Sequence, residues 1–366
     1  MRILYGVFGY GRGHATRALS VLPELRSRHE VMVLAGGDAY DALASENHVT
    51  RVPTLRYEYG AGGKRSLSRT FRHNLALVGD VLFSGPAYRE VARQVRDFRP
   101  DVCLCDAEPW THAAAARLRI PRISFDHFGV LAYCRPVLPL RDRLRSLRDV
   151  YAYRALMGRP DRIIVSSFYD GGARDPRIRF VGPILRPAVL QRRASRDDHL
   201  LVYLNQGAWQ LVPRIERALR ELGVPVIVYG TPRVGDDGPL SFRAPSNHAF
   251  LDDLASCRAV FSTAGNQLVG EAVWFGKPML VTPENTVEQR LNAAAVERLG
   301  IGRAVAHDDV DGATLGGFLA GIDAYRESVR RAARDGRTEA VHSIEGFARE
   351  LRDARRWSGE RALELA

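Results

Sequence analysis

Tyr5-Gly6-Val7-Phe8-Gly9-Tyr10-Gly11-Arg12-Gly13-His14-Ala15-Thr16-Arg17-Ala18 is the stretch on which the reading of the fold turns. Residues 2–8 are an apolar run of strand character, and residues 15–28 carry Ala18, Leu22 and Leu25 at helical spacing. Between them, Gly9, Gly11 and Gly13 alternate with larger residues. Glycines let the backbone turn sharply and approach a ligand, and the helix N-terminus beyond them offers unpaired N–H groups to an anion. A nicotinamide fingerprint needs G-x-G-x-x-G and an acidic residue after the second strand. Here the spacing differs, and Leu34-Ala35-Gly36-Gly37 occupies the place of the acid, with Asp38 nearest. A dinucleotide site is therefore disfavoured, and a tight turn with a capping histidine is the plain alternative.

Outward from this stretch, strand-like and helical patterns alternate, which predicts parallel βαβ units. Strands are expected at 30–35, 102–105, 122–125 and 162–166, with a helix at 111–118. Val181-Gly182-Pro183-Ile184-Leu185-Arg186-Pro187 is punctuated like a linker. The alternation restarts beyond it, with strands at 200–204, 224–229, 260–262 and 278–281 and helices at 211–222 and 267–275. The chain thus divides into residues 1–182, residues 183–337 and a charged helical tail, 338–366.

The second half repeats the opening device. Ser262-Thr263-Ala264-Gly265-Asn266-Gln267-Leu268-Val269-Gly270-Glu271 reads as strand, tight loop and helix. Loop amides and the helix dipole suit a diphosphate. Glu271, one turn inward from Gln267, can accept the hydroxyls of a ribose or can be a solvated helix residue. Trp274-Phe275-Gly276-Lys277-Pro278-Met279-Leu280-Val281-Thr282-Pro283 then leads to Glu288 and Gln289, both able to hydrogen-bond hydroxyl groups.

Together these three segments resemble the GT-B superfamily of glycosyltransferases. The chain looks similar to the lipid-intermediate N-acetylglucosaminyltransferases of peptidoglycan synthesis and to UDP-glucuronosyltransferase-like enzymes. The resemblance implies an α/β protein of two facing Rossmann-like domains with an interdomain cleft, the first holding the acceptor and the second a nucleotide sugar. It implies that Thr263, Gly265, Asn266 and Gln267 line the diphosphate, that Glu271 meets the ribose, and that Glu288 and Gln289 meet the sugar. The segment 247–251, with Phe250, matches the place where backbone atoms read the base, and Gly207 lies in the loop opposite the phosphates. Related natural-product enzymes carry histidine at the position of Thr263, and glucose-recognising ones carry aspartate at that of Glu288, so the resemblance does not fix the sugar.

In several relatives the loop histidine deprotonates the acceptor hydroxyl, supported by an aspartate after a later strand. The resemblance thus makes His14 the base and Asp106 its partner, with Gly11, Arg12, Gly13, Arg17 and His127 on the acceptor side. Asp106 as a helix cap, Asp126-His127 as a competing pair and Glu108 as a further candidate stay open. The implied reaction is inverting and metal-independent, moving a sugar from a nucleotide-sugar co-substrate, expected to be UDP-linked, to a hydroxyl. No cofactor is called for. No D-x-D motif is flanked by apolar strand residues, although Asp252-Asp253 and Asp308-Asp309 pair charges in expected turns. A nucleotide-sugar hydrolase of similar fold would fit Gly11–Arg17 equally well, and a non-catalytic sugar-nucleotide-binding protein is the rival from another class.

With 366 residues, 46% hydrophobic and 26% charged, the chain suits two soluble α/β domains. No apolar stretch approaches the roughly 18 residues of a membrane span, and the opening run is short for a signal peptide. Cys103, Cys105, Cys134 and Cys257 have no zinc or disulfide spacing, so a reducing cytoplasm is expected. The net charge of +11 is nearly all arginine, Lys64 and Lys277 being the only lysines. That charge fits an anionic partner or a merely basic surface; no nucleic-acid module accompanies it. Residues 138–155 read as a helix with Leu140, Leu144, Leu147 and Tyr151 on one face and Arg141, Arg143, Arg145 and Arg148 beside it. Lys64, Arg65, Arg69 and Arg72 crowd an upstream stretch. Either the leucines enter the core, or the face lies on an anionic membrane or lipid-linked acceptor.

Overall fold

Strand sequences such as Ile3-Leu4-Tyr5 and Val102-Cys103-Leu104-Cys105 are apolar at consecutive positions, as a strand buried on both faces requires. The computed structural model describes residues 1–45, 48–60, 66–134, 136–173 and 175–364, without the side chains of Arg12, Ala208 and residues 356–364. It divides the chain into two units, Met1–Ile184 with Gly336–Ala366, and Leu185–Asp335.

The strands of the first unit are β1 (Arg2–Val7), β2 (Glu30–Ala35), β3 (Val49–Arg51), β4 (Val102–Asp106), β5 (Arg122–Asp126), β6 (Arg162–Ser166) and β7 (Ile178–Val181). Its helices begin with α1 (Arg12–Arg28), α2 (Gly37–Leu43), α3 (Leu67–Phe83) and α4 (Pro86–Phe98). They continue with α5 (Pro109–Arg117), α6 (Gly129–Tyr133) and α7 (Leu140–Met157). All pairings are parallel, in the order β3-β2-β1-β4-β5-β6-β7. The pleat sends Ile3, Tyr5 and Val7 into one core with Ala18, Leu22 and Leu25. Leu4, Cys103 and Cys105 face the other, with Val91, Val95 and Trp110.

The second unit has β8 (Leu200–Tyr203), β9 (Val226–Tyr229), β10 (Gly235–Asp237), β11 (Leu240–Phe242), β12 (Ala259–Ser262), β13 (Met279–Val281) and β14 (Gly302–Ala304). Helices α8 (Pro187–Leu190), α9 (Gly207–Gln210), α10 (Pro213–Arg220) and α11 (Asn247–Ser256) come first. Helices α12 (Asn266–Trp274), α13 (Val287–Arg298), α14 (Gly312–Ala320) and α15 (Arg326–Ala332) follow. The order is β10-β11-β9-β8-β12-β13-β14, with only β10 antiparallel to its neighbour.

The final helix, α16 (Arg337–Glu364), is not a separate tail. Its Ala340, Val341, Ile344, Phe347 and Ala348 are buried in the first unit's core beside Val21 and Leu25, and Glu345 accepts from His29 Nε2 at 2.9 Å. At the return, a Cβ on Gly336 would stand 2.1 Å from the Gly182 carbonyl oxygen, so only glycine fits.

A second difference concerns α7. Leu140, Leu144, Leu147 and Tyr151 are exposed, while Asp142, Ser146 and Met157 are buried. The core-packing expectation for these leucines therefore fails: the helix is anchored by its other face, where Tyr153 donates to Asp126 at 2.5 Å. The four cysteines are buried free thiols.

Candidate functional site

In each unit the strand order reverses beside the first strand, between β1 and β4 and between β8 and β12. Open α/β sheets bind ligands beyond the carboxyl ends of the strands at such a switch point. Val7 pairs with Asp106 there in the first unit, and Tyr203 pairs with Ser262 in the second.

The three glycines of the first loop do different things. A Cβ on Gly9 would lie 2.3 Å from Thr54 Oγ1 and 2.4 Å from Gly36, so Gly9 permits close packing of two loops. Gly11, at φ +88°, occupies the left-handed region, and its N–H donates to Asp38 Oδ2 at 3.1 Å. Asp38 thus braces the turn. Gly13 faces open space. Helix α1 begins at Arg12, earlier than the periodicity suggested, which puts His14 in its first turn. The side chain of Arg12 lies outside the described part.

Asp106 is fully buried and accepts from His14 Nδ1 at 2.6 Å and from Arg17 Nε and NH2 at 2.7 and 2.8 Å. Burial alone would raise its pKa; the charges of Arg17 and His14 and their hydrogen bonds outweigh it and hold the carboxyl below its usual range. An ionised carboxylate only accepts, so the 2.6 Å contact places a proton on His14 Nδ1, ahead of the longer 3.2 Å approach of the Arg17 guanidinium to the same nitrogen, and leaves Nε2 as the nitrogen that can exchange a proton with a ligand. The His14 side chain is 24% exposed and has the Phe8 ring edge-on at 5.2 Å. Arg17 points inward, only 4% exposed, and serves Asp106 instead of lining the acceptor side.

The alternatives resolve differently. Glu108, not Asp106, caps α5, accepting from Trp110 N–H at 3.0 Å and Thr111 N–H at 2.7 Å. Burial, opposed by these hydrogen bonds, lifts Glu108 to about 7. Ala107, at φ +54°, makes the turn that separates the two carboxylates. Asp126 and His127 are not a pair. Asp126 accepts from Gly129 N–H at 2.7 Å and Tyr153, whereas His127 Nδ1 donates to the Ser166 carbonyl at 3.0 Å. Burial, then the Asp106 charge, raises the Asp126 pKa.

Sequence reasoning missed the aromatic group on this loop. Tyr10 packs edge-on to Tyr57 at 5.7 Å, and its hydroxyl lies 3.3 Å from that of Tyr59. The spacing of Tyr57 and Tyr59, two apart in an extended segment, was the available signal.

In the second unit, Gly265 is the N-cap of α12 and faces open space, while Thr263 and Asn266 are buried beside it. Asn292 Nδ2 donates to the Ala264 carbonyl at 2.9 Å and pins the turn from α13. Glu271, 1% exposed, accepts from Gln267 Nε2 at 2.9 Å and from Arg186 Nε and NH2 at 2.8 and 2.7 Å. It is not a solvated helix residue. Arg186, read from sequence as linker punctuation, is thus brought to the turn by the tertiary fold.

Gly207 is required by packing, since its Cβ would lie 2.2 Å from the Gly230 carbonyl oxygen. Gln289 Oε1 accepts from Glu284 N–H at 2.8 Å, and Glu288 occupies the first turn of α13. Phe250 packs edge-on to Tyr229 and Tyr203, at 5.1 and 5.4 Å. Its N–H donates to Ser246 O at 3.1 Å, inside α11, so this amide is not free to read a base. Asp252 and Asp253 also lie in α11, not in a turn, bound to Arg192 and Tyr229. Among the described residues, no three His, Cys, Asp or Glu side chains converge as a metal site.

Residues 1–323 match the family model of glycosyl transferase family 1. The chain belongs to that family. A relative from Methanosarcina mazei, described as an uncharacterized glycosyltransferase, is 24% identical over 375 residues, covering 91% of this chain and 94% of its own. The kitacinnamycin glycotransferase is similar in structure, with TM-score 0.69 at 19% identity over 96% of this chain and 99% of that one. MurG of Acinetobacter baumannii has TM-score 0.63 at 17% identity, over 94% and 99%. The likeness to these structures is one of fold, GT-B. The protein is a glycosyltransferase, with a nucleotide-sugar donor and an acceptor as its substrates.

Proposed function

We propose that the enzyme is an inverting, metal-independent transferase that moves a sugar from a UDP-linked donor to an acceptor hydroxyl. The observation that carries this reading is the His14–Asp106 contact, which orients a partly exposed imidazole with Nε2 available for a proton. His14 Nε2 takes the hydroxyl proton as the acceptor oxygen bonds to the anomeric carbon, and the bond from that carbon to the diphosphate oxygen breaks on the opposite side. Asp106 stabilises the imidazolium that results.

The donor belongs to the second unit. Amides at the start of α12 and the Arg186 guanidinium supply positive charge to the leaving diphosphate, work that a divalent ion does elsewhere. Thr263, Gly265, Asn266 and Gln267 border that group. Glu271 accepts from the ribose hydroxyls while keeping Arg186, and Glu288 with the Gln289 amide nitrogen meets the sugar. The Phe250 ring, not its backbone, borders the base. Tyr10, Tyr57 and Tyr59 offer flat apolar faces to the acceptor.

Titration calorimetry with UDP, dTDP and ADP, followed by UDP release from UDP-sugars with and without candidate acceptors, tests the reading. Glu271→Ala is expected to weaken UDP by roughly 1.5–3 kcal/mol, the worth of charge-assisted hydrogen bonds. His14→Ala is expected to lower turnover about a hundredfold or more with UDP affinity kept. Unchanged UDP affinity in the first variant would remove Glu271 from the ribose. Near-normal turnover in the second would remove His14 as base, and full-rate UDP release without acceptor would make the enzyme a hydrolase.

A further inference from the structure

Nine of the thirteen exposed large hydrophobic side chains among the described residues lie on α3 and α7. On α3, Leu67, Phe71, Leu75 and Leu82 follow helical spacing along one stripe, and Phe83 ends the helix 83% exposed. On α7, Leu140, Leu144, Leu147 and Tyr151 do the same, with Leu140 71% and Leu144 64% exposed. The two helices pack against each other. Each also has a separate inward face, Val81 on α3 and Ser146 and Met157 on α7, so the outward stripes are not displaced core positions. Single exposed leucines are ordinary; two neighbouring apolar stripes mark an interaction surface.

Charge selects the partner. Arg69, Arg72, Arg141 and Arg143 are exposed on the same two helices. The acids there are committed elsewhere. Asp80 accepts from the N–H groups of Ala87 and Tyr88 and from Trp110 Nε1, Asp142 is buried, and Asp149 accepts from Arg148. Lys64 and Arg65, part of the basic stretch before α3, lie outside the described residues. Apolar stripes bordered by cations fit a phase that is apolar inside and anionic at its surface, whereas a second copy would set arginine against arginine.

We propose that α3 and α7 form a docking face for an anionic lipid bilayer. The apolar side chains enter the acyl boundary while the arginines meet lipid phosphates. The proposal stands apart from the donor and base assignments, because it concerns where the enzyme works and not how.

Co-sedimentation of the full chain with phosphatidylcholine vesicles, with and without phosphatidylglycerol, tests it at low and moderate salt. Pelleting is expected only with the anionic vesicles and should decline with salt. Phe71→Ser with Leu144→Ser should lower partitioning about tenfold or more, and Arg72→Ser with Arg141→Ser roughly thirtyfold. All four positions are exposed, so unchanged thermal melts and UDP binding control for folding. Negligible pelleting with both vesicles, or unaltered pelleting of the apolar double variant, would overturn the proposal. So would self-association in sedimentation velocity that the same substitutions abolish while no vesicle binding is seen, since the occupant would then be a second copy.

Discussion

Asp106 accepts three hydrogen bonds from two side chains in a place with no exposure, and Arg17 is the partner that makes this tolerable. Breaking a buried pair by deleting one member leaves an uncompensated charge, at a cost of about 3–5 kcal/mol. Arg17→Met is therefore expected to lose about that much in urea unfolding, and adding Asp106→Leu should recover part of it. The pair also sets an acid limit. Because the folded pKa of Asp106 lies below its ordinary value, its contribution is full above that ordinary value and is lost as pH falls through the lower folded one. An Arg17→Met protein that unfolds in acid at the same pH as the parent would contradict this account. The sequence reading named His14, Arg17 and Asp106 but misplaced Arg17, because helical spacing tells that Arg17 lies one turn from His14 and not which way its guanidinium turns.

At the scale of elements, α5 shows how a cap can hide in a motif. Its N-cap is a buried glutamate, with Trp110 and Thr111 as donors, directly after a left-handed Ala107. Glu108 has a folded pKa of about 7, above its usual 4.5, so the folded state holds the proton more tightly. Its contribution therefore weakens stability as pH rises from about 4.5 to about 7. His112 on the same helix works oppositely: burial, then the Arg122 charge, lowers it to about 3, so stability rises with pH between there and 6.5. Glu108→Gln keeps an acceptor oxygen and removes the titration. The stability difference between variant and parent, measured by urea at pH values either side of this window, should move in favour of the variant as pH rises. A difference that does not change with pH would place the carboxyl in its ordinary range.

At the scale of the whole molecule, the chain leaves its first unit after Ile184 and comes back at Gly336. Val341, Ile344 and Phe347 are then buried against α1 and the first sheet. Each such side chain contributes about 1.5–3 kcal/mol on burial, and three together rival the roughly 5–15 kcal/mol that holds a domain folded. Removing residues 336–366 is expected to abolish cooperative unfolding of the first unit, while residues 185–335 keep theirs. Limited proteolysis and calorimetry of the shortened chain check this; two intact transitions would show that α16 is dispensable.

The sequence by itself determined the α/β alternation, the restart near residue 185 and the two glycine-bearing turns, because strand burial, helical periodicity and turn chemistry are local and leave a local trace. It also placed His14, Asp106 and Gln267 near element ends and Glu271 one turn into its helix, as the structure has them. Only the tertiary structure decided partners. It gave Asp106 to Arg17 as well as His14, gave Glu271 to Arg186, and separated Asp126 from His127. It returned α16 to the first unit and turned the leucines of α7 outward. Contacts between residues 85 or 316 positions apart, as for Arg186 with Glu271 and His29 with Glu345, depend on strand order and register, which no local pattern encodes.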